Sequence, residues 1–443
     1  MNYDEALNYM QGLRRFGVKL GNERFEALLY LLGNPHQRFC VIHVAGTKGK
    51  GSTTAIISAI LLAHGLKVGS YYSPYVYDVR ERVQVNGEMI PREDFARIVS
   101  KIAPLALDLE AQGLGPTTEF ELKTAVGFVY FAEQKVDIAA VEVGLGGRLD
   151  ATNVVSPAAC IITNIGLDHT HILGHTYSLI AGEKAGIIKP GIPVVTATDN
   201  PEALEVIRRI ANERSAPLTL ALNTDINNPP TAGEIHCSSQ DDLFTITTSR
   251  ARYSNLHCGL YGRIQHINAA CAIGALEEWS SASGGLLRQN AVLAGLSAVS
   301  LPGRMEIVHC NPAVIMDGAH NGMSAKALAE EIRRMHYRKL LLVLGMVSGH
   351  DPAEVVEALA PLAERVYATQ PTWIRGLPAE RIAAAVRMVN VPVEVVTPPA
   401  EAARLAFFEA QENDLVLVTG SFYTVGDVPA TVFRASRSAS MVE

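Results

Sequence analysis

Short runs of β-branched and other apolar residues alternate with longer amphipathic stretches along most of the chain. Between residues 39 and 217, the short runs predict buried strands at 40–44, 138–143, 160–165 and 193–196. The stretches between and after them predict helices at 52–64, 94–112, 119–134, 178–188 and 203–214. Strands that are apolar throughout and alternate with helices predict an α/β fold with a doubly wound parallel sheet.

The pattern changes at about residue 218, where Thr, Ser and Asn become frequent and short alternating runs such as 243–248 appear. This segment, up to about residue 262, predicts a small antiparallel β addition to the first domain. Helical patterns return at 266–279 and near 290–299.

The sequence Ser300-Leu301-Pro302-Gly303 interrupts the helical pattern and predicts a hinge over residues 300–304, because proline and glycine break helices. A second alternation of strands and helices follows between residues 313 and 418. It predicts a C-terminal Rossmann-like α/β domain over residues 305–443, after a first domain over residues 1–299.

Composition and charge narrow the class of protein. The chain has 443 residues, of which 48% are hydrophobic and 19% charged, which excludes a disordered chain or a coiled coil. Its formal net charge of −7 argues against binding to nucleic acid by phosphate neutralisation. There is no apolar run of about 18–20 residues, no signal-peptide pattern and no CxxC pair. We therefore expect a cytoplasmic protein with buried, reduced cysteines that neither spans a membrane nor binds nucleic acid.

The segment from Val41 to Ser52 contains an apolar strand, a glycine-rich turn with two lysines, and the start of a helix. Such a turn lets backbone N–H groups converge on a phosphate, and Lys50 would reach the β and γ phosphates of a nucleotide. The literal G-x-x-x-x-G-K-[ST] pattern fails, because Val44 occupies its first position and Gly51 follows the lysine. The segment predicts a P-loop in the doubly wound N-terminal domain. A tight glycine turn with solvated lysines remains the alternative.

This loop resembles the Gly-Thr-Asn-Gly-Lys-Gly-Ser loop of the folylpolyglutamate synthase and dihydrofolate synthase family, whose relatives are the Mur peptide ligases. Further blocks resemble the family's other signatures, in the family's order: residues 141–153, 166–169, 173–176, 183–187, 302–304 and 317–321. The resemblance implies an ATP-dependent amide ligase that adds L-glutamate to folates through an acyl phosphate, with dihydropteroate as a possible second acceptor. A Mur-type ligase of a cell-wall precursor and a non-ligase P-loop ATPase or kinase remain the rivals.

The resemblance also implies roles for individual residues. It assigns catalytic roles to Lys50, Lys184 and His320. It assigns ATP binding to Gly46, Thr47, Lys48, Gly49, Lys50, Gly51, Ser52, Asn268, Arg304 and Asp317. The implied partners are small molecules only, namely ATP, a folate or dihydropteroate, and L-glutamate, and the chain is expected to be a monomer.

Glu142 ends an apolar strand, where α/β sheets place their ligands, and its carboxylate suits Mg²⁺ bound to nucleotide phosphates. Pairing with Arg148 and exposure to water are the alternatives. The family implies Ser73 and His169 as further ligands and a carbamate on Lys184 that holds a second Mg²⁺.

Several of these metal assignments have a plainer reading. By residue type alone His169 is a capping or core histidine, Lys184 is a solvated helix lysine, and Ser52 is a rival ligand. The family's Ser-Pro-His motif reads Ser73-Pro74-Tyr75 here, so Tyr75 departs from it.

Three short stretches correspond to the family's pteridine-binding segments. They comprise Leu20, Gly21, Asn22, Thr118, Glu119, Phe120, Glu121, Leu149, Asp150 and Ala151. Phe120 is expected to pack against the pterin ring, with a place in the helix core as its alternative. Asp150 is expected to accept hydrogen bonds from the ring's amino groups.

Overall fold

The computed structural model describes residues 1–17, 21–224, 230–240 and 242–434, and these residues form two compact units. The first unit comprises Met1–Pro74, Arg80–Gly259 and Arg263–Ser300. The second comprises Tyr75–Val79, Leu260–Gly262 and the chain from Leu301 onward. Each unit has an α/β architecture, which confirms the predicted fold class.

The first unit is built on one sheet, which has 11 strands within the described residues. The strands are β1 (Cys40–Ala45), β2 (Val68–Tyr71), β3 (Val83–Val85), β4 (Glu88–Met89), β5 (Ile138–Glu142), β6 (Ala159–Ile162), β7 (Val194–Thr196), β8 (Leu218–Asn223), β9 (Glu234–Gln240), β10 (Leu243–Thr247) and β11 (Arg252–Leu256). Their order across the sheet is β11-β10-β9-β8-β7-β6-β1-β5-β2-β3-β4. Strand β1 therefore lies at the centre, between β6 and β5.

The strands from β9 to β2 are parallel, and antiparallel strands complete both edges. The prediction of an antiparallel addition starting at residue 218 is therefore wrong in part. Strand β8 pairs in parallel with β7 and β9, and antiparallel pairing begins only between β9 and β10. Alternation of apolar and polar residues indicates a strand with one exposed face, but it carries no information on strand direction.

Helices surround this sheet. They are α1 (Tyr3–Gly12), α2 (Glu23–Leu31), α3 (Lys50–Ala63), α4 (Arg92–Leu109), α5 (Glu119–Gln134), α6 (Thr170–Leu173), α7 (Tyr177–Ala185), α8 (Pro201–Glu213), α9 (Ile264–Ala282) and α10 (Gln289–Ala298). Helix α3 follows β1, and Ile56, Ile57 and Ile60 are among its buried residues. It begins at Lys50, before the predicted start at residue 52. The burial of these apolar side chains and the short loop from β1 hold α3 against the centre of the sheet.

The second unit is built on a sheet of 6 strands within the described residues, in the order β12-β13-β17-β14-β15-β16. These are β12 (Glu306–Cys310), β13 (Ala313–Met316), β14 (Leu340–Gly345), β15 (Arg365–Thr369), β16 (Val393–Val395) and β17 (Leu415–Thr419). Its helices are α11 (Gly322–Arg334), α12 (Pro352–Leu359), α13 (Ala379–Met388), α14 (Pro399–Glu409) and α15 (Phe422–Gly426). Only β12 is antiparallel, and separate apolar clusters cover the two faces of the sheet.

The cysteines Cys160, Cys237, Cys258 and Cys271 are buried free thiols, as predicted. The same prediction is wrong for Cys40, which is partly exposed, and for Cys310, which is exposed, because each lies at the end of a strand. Among the residues that the structure describes, no helix combines the length and apolar character needed to cross a membrane.

Candidate active site

A short glycine-rich loop connects β1 to α3 at the carboxyl edge of the sheet. Gly46 has a φ of 147° and Gly49 a φ of 84°, backbone conformations that favour glycine. A Cβ added to Gly46 would lie 1.9 Å from Oγ1 of Thr163, and one added to Gly49 would lie 2.5 Å from Oδ1 of Asn268. The loop therefore depends on glycine for both conformation and space. It also lies next to Asn268, one of the predicted ATP-binding residues.

The segment after β6 supports the loop through hydrogen bonds. The backbone N–H of Thr47 donates to the carbonyl oxygen of Asn164, and that of Lys48 donates to the Asn164 side-chain oxygen, both at 2.9 Å. The Thr163 hydroxyl donates to the Lys48 carbonyl oxygen at 2.6 Å. Thr163 and Asn164 were not predicted from the sequence as site residues. The available signal was the change to polar residues directly after an apolar strand.

Three lysines surround the loop. Nζ of Lys184 lies 2.8 Å and Nζ of Lys50 lies 3.2 Å from the carbonyl oxygen of Gly46, and Lys48 forms an ion pair with Asp168 at 3.1 Å. Lys184 is buried, which contradicts the reading of a solvated lysine. Burial, with a further contribution from the charge of Lys50, lowers the pKa of Lys184 to about 7. Positive charge concentrated beside a helix N-terminus suits a bound phosphate.

Two predicted metal ligands lie together where β2 and β5 end. The backbone N–H of Ser73 donates to Oε2 of Glu142 at 2.8 Å, and Glu142 is 2% exposed. Both alternatives for Glu142 are therefore wrong. Its carboxylate is neither exposed nor paired with Arg148, which instead forms an ion pair with Glu183 at 2.8 Å.

His169 is the third predicted metal ligand. It has a left-handed φ of 50° immediately before α6, and its side chain is 48% exposed, so it is not a core histidine. Burial of part of the ring is the main cause that lowers the pKa of His169, and nearby lysines act in the same direction. In the described part of the chain, no group of three or more His, Cys, Asp or Glu residues is arranged to hold a metal ion. A serine, a glutamate and a histidine still fit Mg²⁺, because this ion takes few protein ligands when nucleotide phosphates supply the others.

A cavity of about 220 Å³ lies beside Ser73. Its lining includes the predicted substrate residues Gly21, Thr118, Phe120, Glu121, Leu149, Asp150 and Ala151. Gly17, Gly144 and Leu145 also line it and were not predicted. Asn22 and Glu119 are not among the lining residues, and Leu20 lies outside the described part of the chain. The structure thus brings most of the predicted pteridine-binding residues around one cavity.

The aromatic ring of Phe120 packs against the backbone of Gly144, where an added Cβ would lie 2.4 Å from the Phe120 Cζ atom. The guanidinium group of Arg82 lies over the same ring, 5.5 Å from its centroid. Phe120 is only partly buried and lines the cavity, so the alternative of a core residue does not describe it.

Two carboxylates in the cavity wall are held in place by hydrogen bonds. Glu121 forms an ion pair with Arg24 at 2.7 Å and accepts the N–H of Thr118 at 2.7 Å. Asp150 accepts the N–H of Leu145 at 2.8 Å. Burial raises the pKa of Asp150, and the hydrogen bonds that it accepts oppose this shift.

The remaining predicted residues Arg304, Asp317 and His320 belong to the second unit. The guanidinium of Arg304 lies 4.2 Å from the ring centroid of Phe422. The Asp317 carboxylate accepts the N–H groups of Met305 and Ala319 at 2.9 and 2.8 Å, and Nδ1 of His320 lies 2.8 Å from the Gly318 carbonyl oxygen. All three are thus held close to the loop that follows β13.

Two models of Mur ligase domains match this chain. Residues 44–276 match the Mur ligase middle domain, and residues 303–422 match the glutamate ligase domain of Mur ligases. The dihydrofolate synthase/folylpolyglutamate synthase of Bacillus subtilis is 36% identical over 435 residues, which span 96% of this chain and 98% of that protein.

Two solved structures have the same fold over nearly the whole chain. FolC of Escherichia coli in complex with DHPP and ADP has a TM-score of 0.85 and 32% identity, and covers 98% of this chain and 97% of its own. A bifunctional folylpolyglutamate synthase/dihydrofolate synthase with Mn, AMPPNP and L-glutamate bound has a TM-score of 0.82 and 30% identity, with 98% of both chains covered. These likenesses confirm the resemblance seen in the sequence. The chain belongs to the folylpolyglutamate synthase/dihydrofolate synthase family of Mur ligases.

Proposed function

We propose that this chain is an ATP-dependent ligase that joins L-glutamate to a folate, and also to dihydropteroate, through an acyl phosphate. The position of Ser73 carries the proposal. Its N–H donates to Glu142, and the residue also lines the cavity that contains Phe120 and Asp150. A phosphate-binding edge of the sheet and an acceptor cavity therefore meet at one residue. ATP, Mg²⁺ and the glutamate acceptor are the ligands that such an arrangement accommodates.

The nucleotide phosphates are bound by the loop from Gly46 to Gly49 and by backbone N–H groups at the start of α3. Lys50 and Lys48 neutralise phosphate charge, with Gly51 and Ser52 in the first helical turn and Asn268 beside the loop. Ser73, Glu142 and His169 would hold Mg²⁺, which would neutralise charge on the transferring phosphoryl group when bound.

Lys184 would carry a carbamate in the active protein, and this carbamate would help to hold a second Mg²⁺. Carbamate formation joins the amine nitrogen to CO₂ and releases one proton, so it requires the neutral amine. The burial that lowers the pKa of Lys184 to about 7 supports this role, because a large fraction of the amine is then neutral at physiological pH.

The pterin end of the acceptor lies against Phe120 and Asp150. The carboxylate of the acceptor points toward Ser73. A carboxylate oxygen attacks the γ-phosphorus of ATP, and the bond to the ADP oxygen breaks. The glutamate amine then attacks the acyl carbon, and inorganic phosphate leaves with the electron pair of the broken C–O bond. The amine proton is lost to form the new amide.

The second unit contributes Arg304 and Asp317 to ATP binding and His320 to catalysis. Residues 300–304 serve as the hinge between the domains at 1–299 and 305–443. The match of residues 303–422 to a glutamate ligase domain supports these roles for the second unit. The chain acts on small molecules as a cytoplasmic monomer.

ADP release, measured with and without L-glutamate, tests the proposal. Dihydropteroate and tetrahydrofolate serve as acceptors in parallel reactions with Mg²⁺ and bicarbonate present. If ADP forms at the same rate without glutamate and without acceptor, the result would favour a P-loop ATPase and refute the proposed ligase activity.

The variant Lys50→Ala tests the role of the loop in the same assay. We expect ADP formation to be lost, because the lysine that neutralises the transferring phosphoryl group is gone, while the melting temperature stays near that of the wild type. Lys101→Ala, which removes an exposed lysine from α4, serves as the matched control and should retain full activity. Near-normal turnover by the Lys50 variant would overturn the assignment.

A further inference from the structure

A buried histidine lies in the central strand of the first sheet, close to the cavity wall. His43 is in β1, between Val141 of β5 and Cys160 of β6, and it is fully buried. Its Nε2 atom lies 2.9 Å from the hydroxyl oxygen of Thr152. None of the steps of the proposed reaction uses this histidine. A polar side chain at the centre of a core is costly unless its hydrogen bonds are needed there.

The hydroxyl of Thr152 connects His43 to the cavity. Oγ1 of Thr152 lies 2.6 Å from Oδ1 of Asp150, and the backbone N–H of Thr152 donates to the same carboxylate oxygen at 3.0 Å. An ionised carboxylate only accepts hydrogen bonds, so the hydroxyl proton points toward Asp150. The oxygen of Thr152 must then accept a hydrogen bond from His43, so Nε2 is the nitrogen that carries the imidazole proton.

This direction of hydrogen bonding determines the state of the imidazole. With the proton on Nε2, the Nδ1 atom is an acceptor, and within the described residues it is buried without a hydrogen-bond partner. A charged imidazole would place an N–H group at this position with no acceptor, so the neutral form is favoured. Burial, followed by the charge of Lys189, lowers the pKa of His43 to about 3, which agrees with a neutral ring.

The hydrogen-bond chain ends on a group that faces the acceptor. Asp150 lines the cavity, its Oδ1 is held by Thr152 and its Oδ2 accepts the N–H of Leu145 at 2.8 Å. Removal of the His43 donor leaves a lone pair of the buried Thr152 oxygen without a partner, and the hydrogen bond from this hydroxyl to Asp150 loses the polarisation that the donor supplies. Two backbone N–H groups also hold this carboxylate, and the side-chain part of its support depends on a residue that does not itself line the cavity.

We propose that His43 is a positioning residue for acceptor binding: as a neutral donor to Thr152, it orients that hydroxyl toward Asp150 and so orients the carboxylate that the pterin contacts. The inference rests on the proposed function, because it assumes that the acceptor occupies this cavity. It predicts an effect on acceptor affinity that is separate from the transfer of phosphate.

Steady-state kinetics with dihydropteroate or tetrahydrofolate, whichever the wild type uses better, test the inference. His43→Leu introduces an apolar side chain of similar size and removes the donor. We expect the KM for the acceptor to rise about tenfold, with kcat and the KM for ATP within about twofold of the wild type. His43→Gln should restore most of the affinity, because the glutamine amide N–H₂ reaches the position of Nε2.

A double-mutant cycle with Thr152→Val shows whether the effect passes through Thr152. In that background we expect His43→Leu to change the acceptor KM by less than about twofold. His36→Gln is the matched control, because His36 also has a buried Nδ1 without a partner in the described residues but packs on Phe128 and has no hydrogen bond to Thr152 or Asp150. It should leave the acceptor KM unchanged.

Three results would overturn the inference. They are an unchanged acceptor KM in His43→Leu, an equal effect of His43→Leu with and without Thr152→Val, and failure of His43→Gln to restore affinity. If His43→Leu does not fold, an acceptor KM that is unchanged in Thr152→Val would equally refute it. If the wild type shows no glutamate-dependent ADP release, the proposed function itself is refuted. Failure of the inference and failure of the proposed function are therefore distinguishable.

Discussion

Replacement of Gly46 by alanine is the most direct perturbation of the candidate phosphate loop. Gly46 has a φ of 147°, and its carbonyl oxygen accepts hydrogen bonds from Lys50 and Lys184. The added Cβ would lie 1.9 Å from Oγ1 and 3.1 Å from the backbone nitrogen of Thr163, whereas ordinary contact begins at 3.4 Å. Thr163 cannot withdraw as a whole, because its N–H donates to the Ala45 carbonyl oxygen at 2.9 Å.

The expected cost follows from these contacts. A non-glycine residue in such a backbone conformation costs of order 1–3 kcal/mol. Rotation of the Thr163 side chain away from the new methyl group loses its hydrogen bond to Lys48, which contributes about 1 kcal/mol. The total is about 3 kcal/mol, shared between a lower free energy of unfolding and weaker nucleotide binding. If all of it appears in binding, the affinity falls about a hundredfold.

Urea unfolding and titration calorimetry with ADP and Mg²⁺ measure the two quantities. Gly65→Ala is the matched control, since Gly65 has a φ of 86° but nothing within 4 Å of an added Cβ. The control should lose about 1 kcal/mol of stability and no nucleotide affinity. The reasoning would be refuted if Gly46→Ala matched the wild type in both measurements, or if it lost no more than Gly65→Ala.

Three further predictions concern ionisable groups. In ¹³C-labelled bicarbonate at pH 8, Lys184 should show a carbamate resonance. This resonance should weaken by pH 6, because the pKa of Lys184 is about 7 and only the neutral amine reacts. Lys184→Arg should lack the resonance at any pH. His43 has a pKa of about 3 in the folded state against an ordinary 6.5, so the unfolded state binds its proton first as the pH falls. Urea unfolding should therefore show about 2 kcal/mol less stability at pH 5 than at pH 7 from this group, a loss that His43→Gln should lack. Arg24→Met leaves the charge of Glu121 without its buried ion-pair partner and should cost about 3 kcal/mol of stability in urea unfolding, whereas Arg209→Met, from an exposed ion pair, should cost less than about 1 kcal/mol.

Local sequence patterns were sufficient for much of the fold. Runs of apolar residues located the central strands of both sheets, because a parallel strand covered on both faces must be apolar along its whole length. The edge strands were less visible. Strand β12 (Glu306–Cys310) has no buried residues, so apolar periodicity did not mark it. The direction of β8 depends on the strand beside which it lies, which is not encoded in its own residues.

The candidate site likewise has features that were predictable from local sequence and features that were not. The glycines and lysines of the loop after β1 were recognisable because the chemistry of phosphate binding requires them within a few consecutive residues. The support of that loop by Asn164 was not recognisable, because it comes from a segment 116 residues away. Burial of Lys184, which changes its pKa, likewise depends on packing and not on its neighbours in sequence.

By itself, the sequence determined the alternation of central strands with helices, the position of the candidate phosphate loop and the family of the protein, because each of these is written in short, contiguous patterns. Only the tertiary structure decided which side chains meet. His43 and Thr152 are 109 residues apart, yet they form one hydrogen-bond chain with Asp150 in the cavity wall. Hydrogen bonds act over about 3 Å, so contacts of this kind exist only after the sheet has brought distant segments together.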